Sequence, residues 1–129
     1  MRLLLDTHCW LWMRGEPARF SERSRELLRD PASELSLSAA SAWEIAIKYA
    51  AGKLRLPEPP GVFLSRRMTE DRLLALPISH LHALRAGELP PHHRDPFDRL
   101  LIAQAQLEGL ALLTADRELA KYDVPIQWA

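Results

Sequence analysis

Short apolar runs alternate along this chain with stretches whose apolar residues recur every three or four positions. Residues 2–5 (RLLL) form a run that ends at Asp6-Thr7 and predict a first strand. Residues 7–14 predict a helix that Gly15 stops, and SERSRELLRD from Ser21 predicts a second that Pro31 ends. ELSLS (34–38) alternates as a strand. Residues 41–51 read as a helix on which Trp43, Ile47 and Ala50 share a face, with Gly52 as its stop. A proline-rich connector, GKLRLPEPPG, precedes a helix over 62–70 and a third strand over 73–76. A short helix over 79–86 closes at Gly87. The loop ELPPHHR then leads into a long helix over 96–108 that ends at Gly109. Residues 110–114 predict a fourth strand, 117–122 a short helix, and 125–128 a final strand.

Strands that alternate with helices imply crossover connections, hence a mostly parallel sheet covered on both faces. In such sheets ligands bind in the crevice outside the carboxyl ends of the strands. The residues immediately after each strand are therefore the ones to inspect for chemistry.

Composition narrows the class. A chain of 129 residues, 47% hydrophobic and 26% charged, fits a single globular domain over 1–129. No apolar run approaches the ~18 residues of a membrane span. Asp6 interrupts the apolar start and no small-residue cleavage site follows, so neither a signal peptide nor a membrane location is expected. One cysteine, Cys9, excludes an internal disulfide and points to a reducing, cytoplasmic compartment. Seventeen basic and 17 acidic residues give no net charge, which excludes a protein that coats nucleic acid non-specifically but not one that holds it locally.

Acids recur at the strand ends. Asp6 follows the first strand, Glu44 lies early in the helix after the second, Asp98 lies in the first turn of the helix over 96–108, and Asp116 follows the fourth strand. Asp95 stands one turn before Asp98. Each has a local reading: Asp6 and Asp116 as caps, Ser41-Ala-Trp-Glu44 as a capping box, and Asp95-Pro96 as N-cap and N1 with Asp98 favoured by the helix dipole. Jointly they have another. In a parallel sheet these positions open on one edge, where several carboxylates repel one another and raise each other's pKa unless a cation lies among them. Oxygen donors of this kind suit Mg²⁺ or Mn²⁺. Such an ion lowers the pKa of bound water and offsets charge on a phosphate oxygen, the equipment for phosphodiester hydrolysis. Asp98 also continues the face of Leu101, Ile102 and Ala105, so it is expected to point inward.

The stretches LLLDTHCWLW, SAASAWEIAIKYAAGKL, PPHHRDPFDRLLIAQA and LLTAD resemble, in order and over nearly the whole chain, the motifs of PIN-domain ribonucleases. More narrowly they resemble the VapC-type toxins of bacterial toxin–antitoxin pairs. The resemblance implies a three-layer α/β/α domain with a central, mostly parallel sheet of four to five strands. It implies Mg²⁺- or Mn²⁺-dependent endonucleolytic cleavage of RNA, leaving a 5′-phosphate and a 3′-hydroxyl. Asp6, Glu44, Asp98 and Asp116 would be the catalytic acids, with Asp6 and Asp98 the most direct metal ligands and Glu44 and Asp116 acting directly or through water. Asp95 would be a lesser participant. Thr7 and Thr114 would steady the acids by hydrogen bonds. Read from its own position, two before Asp95, His93 either holds the loop or contacts phosphate in support of the site, or is a solvated loop histidine. A homodimer and a VapB-like antitoxin that covers the acidic pocket are implied as well.

Other chemistries fit less well. His8, the His80/His82 pair and the His92/His93 pair lack the spacing of a zinc module, and there is no cysteine pair. Cys9 lies in an apolar helix, as an inert buried thiol does. Lys48, four residues after Glu44, suits either an intrahelical pair or partial neutralisation of the acids. A metal-dependent phosphatase of the Asp-x-Asp kind needs a second Asp where His8 stands. A non-catalytic PIN-like RNA-binding module would not need the complete acid set.

Overall fold

A computed structural model describes residues 1–129. Five strands, β1 (Arg2–Leu5), β2 (Glu34–Ser38), β3 (Leu74–Leu76), β4 (Ala111–Thr114) and β5 (Ile126–Trp128), form one sheet in the order β3-β2-β1-β4-β5. Every neighbouring pair is parallel. Six helices cover it: α1 (Thr7–Gly15), α2 (Glu22–Arg29), α3 (Ala39–Ala50), α4 (Pro60–Glu70), α5 (His80–Glu88) and α6 (Pro96–Glu108). This is the three-layer α/β/α arrangement with a parallel sheet that the strand–helix alternation predicts.

The central strands are apolar on both faces, as a doubly covered sheet requires. In β1 and β4 the alternation sends Leu3, Leu5, Ala111 and Leu113 into one core with Cys9, Trp10, Phe20, Leu27, Ile45 and Phe63. Leu4 and Leu112 face the opposite core, built with Leu101, Ile102, Ala105, Leu119 and Tyr122. The helix α3 contacts both α4 and α6 and so closes the carboxyl edge between the layers. No helix is long and apolar enough to cross a membrane.

Several boundaries differ from expectation, each for a local reason. The helix α3 begins at Ala39, two residues earlier than its pattern suggests, because Ser38 Oγ caps it by accepting from the Ala40 N–H at 2.9 Å. Ser41 therefore lies inside the helix, and the expected capping box with Glu44 does not form. The apolar face of Trp43 and Ile47 is largely exposed (60% and 43%), whereas the buried face carries Ala40, Ser41, Glu44 and Ile45. Gly87 does not stop α5, which runs to Glu88; its start is a capping box in which Ser79 Oγ accepts from the His82 N–H and the His82 ring accepts from the Ser79 N–H. The segment after Asp116 is a 3₁₀ helix, Arg117–Lys121. The boundaries of α6 fall where the sequence places them: Asp95 caps the start, and Gly109, with φ of 67°, takes the left-handed C-terminal position.

Candidate metal and active site

The acids gather because β1 and β4 are adjacent and in register. Leu5 pairs with Leu113, so the next residues on each strand, Asp6 and Thr114, stand side by side. The Asp6 N–H extends the ladder by donating to the Leu113 carbonyl at 3.0 Å. Asp6 Oδ1 caps α1 by accepting from the His8 N–H at 2.8 Å, and Oδ2 accepts from Thr114 Oγ1 at 2.7 Å. The Asp6 cap reading therefore holds; both carboxylate oxygens accept a hydrogen bond, and each keeps a further lone pair. Thr114 is fully buried and does double duty, since its hydroxyl also accepts from the Asp116 N–H at 3.0 Å. One hydroxyl thus fixes the carboxylate of one candidate acid and the main chain of another.

Asp116 caps the 3₁₀ helix through Oδ1, which accepts from the Glu118 N–H. Its Oδ2 lies 3.7 Å from His93 Nε2. His93 Nε2 is also hydrogen-bonded to Asp98 Oδ2 at 2.7 Å. The donor atoms of His93, Asp98 and Asp116 all lie within 4.8 Å of one another. Asp6 and Glu44 flank this tightest group and do not belong to it. Asp95 keeps its structural role: Oδ1 accepts from the N–H groups of Phe97 and Asp98 at 2.9 and 3.3 Å.

Glu44 is buried in the second turn of α3, where Oε2 accepts from Lys48 Nζ at 2.9 Å. Lys48 is thus both an intrahelical partner and the one lysine at the edge of the acid group. Thr7 does not touch an acid. Its hydroxyl donates to Ser41 Oγ at 2.9 Å, a buried bond that pins α1 to α3 and so sets where Glu44 lies.

Electrostatics separate the two acids expected to be most direct. Burial works against the Asp6 carboxylate, yet the His8 ring at 3.7 Å, the Thr114 hydroxyl and the His8 N–H outweigh it and hold Asp6 below the ordinary carboxylate range. The same contact with Asp6 raises the His8 imidazole. Asp98 behaves in the opposite way. Burial, with the charges of Asp95 and Asp6 added, pushes it up to about 6 against the opposing hydrogen bond from His93. A half-buried carboxylate raised in this way by neighbouring carboxylates would be relieved by a cation. The donor set, carboxylate oxygens with one imidazole, fits a divalent metal ion. Burial raises the Cys9 thiol well above its usual range, which leaves it inert.

Two residues not singled out in the sequence complete the site from beneath. The Arg99 guanidinium donates to the carbonyls of Ala86, Leu89, Pro90 and His93 at 2.8–3.2 Å. Tyr122 Oη donates to the Pro90 carbonyl and accepts from the His93 N–H, at 2.9 and 2.8 Å. Together they bind the loop before α6 at three carbonyls and one N–H, and tie it to the Ala86 carbonyl in the last turn of α5. The sequence signal for Arg99 is its place directly after Asp98 in DPFDR; for Tyr122 there is none.

A family model for the PIN domain matches residues 3–125. Two ribonucleases of Mycobacterium tuberculosis (strain ATCC 25618 / H37Rv) are similar in sequence. VapC22 is 32% identical over 124 residues, which cover 95% of this chain and 93% of that one. VapC16 is 42% identical over 59 residues, a match that covers 46% of this chain and 42% of the relative's length. Among solved structures, VapBC2 from Rickettsia felis bound to a promoter DNA fragment aligns with a TM-score of 0.73 at 17% identity. DNA-bound VapBC from Salmonella typhimurium aligns at 0.71 and 20%, and each alignment covers 99% of this chain and 98% of the other. At these identities the two structures establish a shared fold.

Proposed function

The chain belongs to the PIN-domain family, and on that premise we propose that residues 1–129 form a single-domain endoribonuclease, the VapC-type toxin of a toxin–antitoxin pair. The observation that supports this reading is the gathering of Asp98 and Asp116 with His93 within 4.8 Å, with the Asp6 charge close enough to add to the burial that pushes Asp98 up to about 6. That arrangement costs stability in the free chain and has a use only when a cation is bound.

Asp6 and Asp98 would hold a Mg²⁺ or Mn²⁺ ion most directly, with Asp116 and Glu44 completing the set directly or through water. Such an ion, when bound, supplies a water of lowered pKa and neutralises charge on the scissile phosphate. The chain's own contributions follow from the contacts above. Thr114 and the His8 N–H each hold one oxygen of Asp6 and so fix its carboxylate, whose remaining lone pairs would serve the ion. Glu44, with its charge shared by Lys48, is placed by the Thr7–Ser41 bond to orient the attacking water. His8, whose charged form the neighbouring Asp6 favours, would offer a cationic contact for an RNA phosphate when protonated. Hydrolysis by water leaves a 5′-phosphate and a 3′-hydroxyl.

The remaining parts of this reading are a VapB-like antitoxin that covers the acidic site, a homodimer, and residence in the cytoplasm. The likeness to the ribonucleases VapC22 and VapC16 and to the VapBC complexes supports the first of these. The test is cleavage of total RNA by the purified chain with Mg²⁺ or Mn²⁺, with Asp6→Asn and Asp98→Asn as controls. Metal-dependent cuts with 5′-phosphate ends, absent in both variants, are the expected result. Metal-independent cleavage or 2′,3′-cyclic phosphate ends would overturn the mechanism, and no cleavage under any metal would leave an RNA-binding module.

A further inference from the structure

Resting on the metal-site reading above, we propose that His93 is itself a ligand of the divalent ion, through Nε2, and that this imidazole biases the site toward transition ions such as Mn²⁺ over Mg²⁺. The geometry comes first. Ligand atoms that share one small divalent ion at about 2.1 Å lie about 3–4 Å apart. His93 Nε2 is 3.7 Å from Asp116 Oδ2, within that span, and 2.7 Å from Asp98 Oδ2, a hydrogen-bond distance that would open by a few tenths of an ångström around an ion; all three donors fall within 4.8 Å of one another. The imidazole nitrogen is therefore placed among the carboxylates and not merely near them.

The placement is enforced from both sides of the residue. The His93 N–H donates to Tyr122 Oη, and its carbonyl accepts from Arg99 at 3.2 Å. The same arginine holds the carbonyls of Ala86, Leu89 and Pro90, so the loop that presents the ring cannot drift without breaking several charge-assisted bonds. A solvated loop histidine has no need of such support, whereas a metal ligand benefits from it, because ligand positions must be held before the ion arrives.

The proton has somewhere to go. A hydrogen on Nε2 would serve the contact with an ionised Asp98, which can only accept. Nδ1 makes no hydrogen bond within the chain. The neutral ring can carry its hydrogen on Nδ1 instead and offer the Nε2 lone pair to the ion, with no net gain or loss of a proton. Mg²⁺ prefers oxygen ligands and retains its waters, whereas affinity for nitrogen donors grows along the first transition series. One imidazole among carboxylates thus shifts preference away from Mg²⁺.

The experiment uses the full chain loaded with Mn²⁺. Pulsed EPR of the bound Mn²⁺ should show modulation from a directly bound ¹⁴N, and this should vanish in His93→Ala and in His93→Gln. His93→Ala should weaken Mn²⁺ binding about tenfold or more, while Mg²⁺ affinity, measured by competition, changes by less than about threefold. His93→Gln, which offers an oxygen donor, should retain Mg²⁺ and lose the Mn²⁺ preference. Thermal melts report whether each variant folds, and the nitrogen signal of the unmodified chain needs no variant to fold. Absence of ¹⁴N modulation in that chain, its persistence in His93→Ala, or equal losses of Mg²⁺ and Mn²⁺ would overturn the assignment. Nitrogen-ligated Mn²⁺ in a chain that cleaves no RNA would leave the ligand assignment standing and sink the ribonuclease reading instead.

Discussion

Replacing Asp98 by asparagine should stabilise the metal-free protein at neutral pH while abolishing RNA cleavage. In the folded chain Asp98 is pushed from its ordinary value of 3.8 up to about 6. At about 1.4 kcal/mol per pH unit, that interval corresponds to a penalty of about 3 kcal/mol for ionising Asp98 in the native state. The sign follows from which state holds the proton. Below pH 3.8 the carboxyl is neutral in both states and no penalty exists. Between the two values the unfolded chain has lost the proton and the folded chain still binds it, so stability falls as pH rises. Above about 6 the full penalty is present. Asparagine keeps the volume and can still accept from His93 Nε2 through its amide oxygen. It forfeits the favourable interaction of a first-turn carboxylate with the α6 dipole, roughly 0.5 kcal/mol. The net gain at pH 8 is then about 2 kcal/mol, or roughly 6–10 °C in Tm for a chain of this size. Urea titrations in chelator at pH 4, 5, 6 and 8 measure it: the gap between variant and parent should open across pH 4–6 and stay constant above. Excess Mg²⁺ or Mn²⁺ should raise the parent by about 2–3 kcal/mol at a hundredfold excess over Kd and leave the variant nearly unmoved. A variant less stable than the parent at pH 8 in chelator, or a gap independent of pH, would refute the reasoning.

Three other substitutions test the surrounding contacts. Asp95→Asn retains an N-cap oxygen and should keep both stability, within about 0.5 kcal/mol, and most RNA cleavage, as a cap and not a main ligand would; loss of cleavage equal to that of Asp98→Asn would make Asp95 a ligand. Thr114→Val leaves Asp6 Oδ2 and the Asp116 N–H without their shared partner; it should cost about 1–3 kcal/mol in urea melts and lower cleavage through misplacement of both acids. Arg99→Met removes the guanidinium from four carbonyls, of which Pro90 keeps the Tyr122 hydroxyl, and should destabilise by about 2–4 kcal/mol, with faster hydrogen exchange in residues 89–93 as the local readout.

Much of this was visible in the sequence because the relevant signals are local or periodic. The apolar run that ends at Asp6, and the cap and proline that open α6, each state their own conformation, and parallel-sheet geometry then brings their ends to one edge. What was hidden depends on contacts across the chain. Ser41 looks like a cap, but Thr7 takes its hydroxyl and Ser38 caps α3 instead, which moves Glu44 into the second turn. Trp43 and Ile47 have the spacing of a core face, yet α3 turns that face outward because Ile45 and Ala40 fill the two cores. The hold of Arg99 and Tyr122 on the loop before α6 uses main-chain carbonyls, which carry no side-chain pattern for a sequence to display. His93 was visible as a loop histidine; its place between two carboxylates was not.

The pairing of β1 with β4 has a temporal consequence. Thr114 and Asp6 are 108 residues apart, and the bond between them closes nearly the whole chain. A contact of that span carries a large loop-closure cost and forms late in folding. During synthesis, at about 5–20 residues per second, Asp116 follows Asp6 by roughly 6–20 seconds. Throughout that interval the nascent chain carries Asp6 and later Glu44 and Asp98, but no assembled centre. On the proposed reading, a nuclease whose site draws on the first and fourth strands would be inert toward the messenger and ribosome that are making it until β4 docks and the site closes.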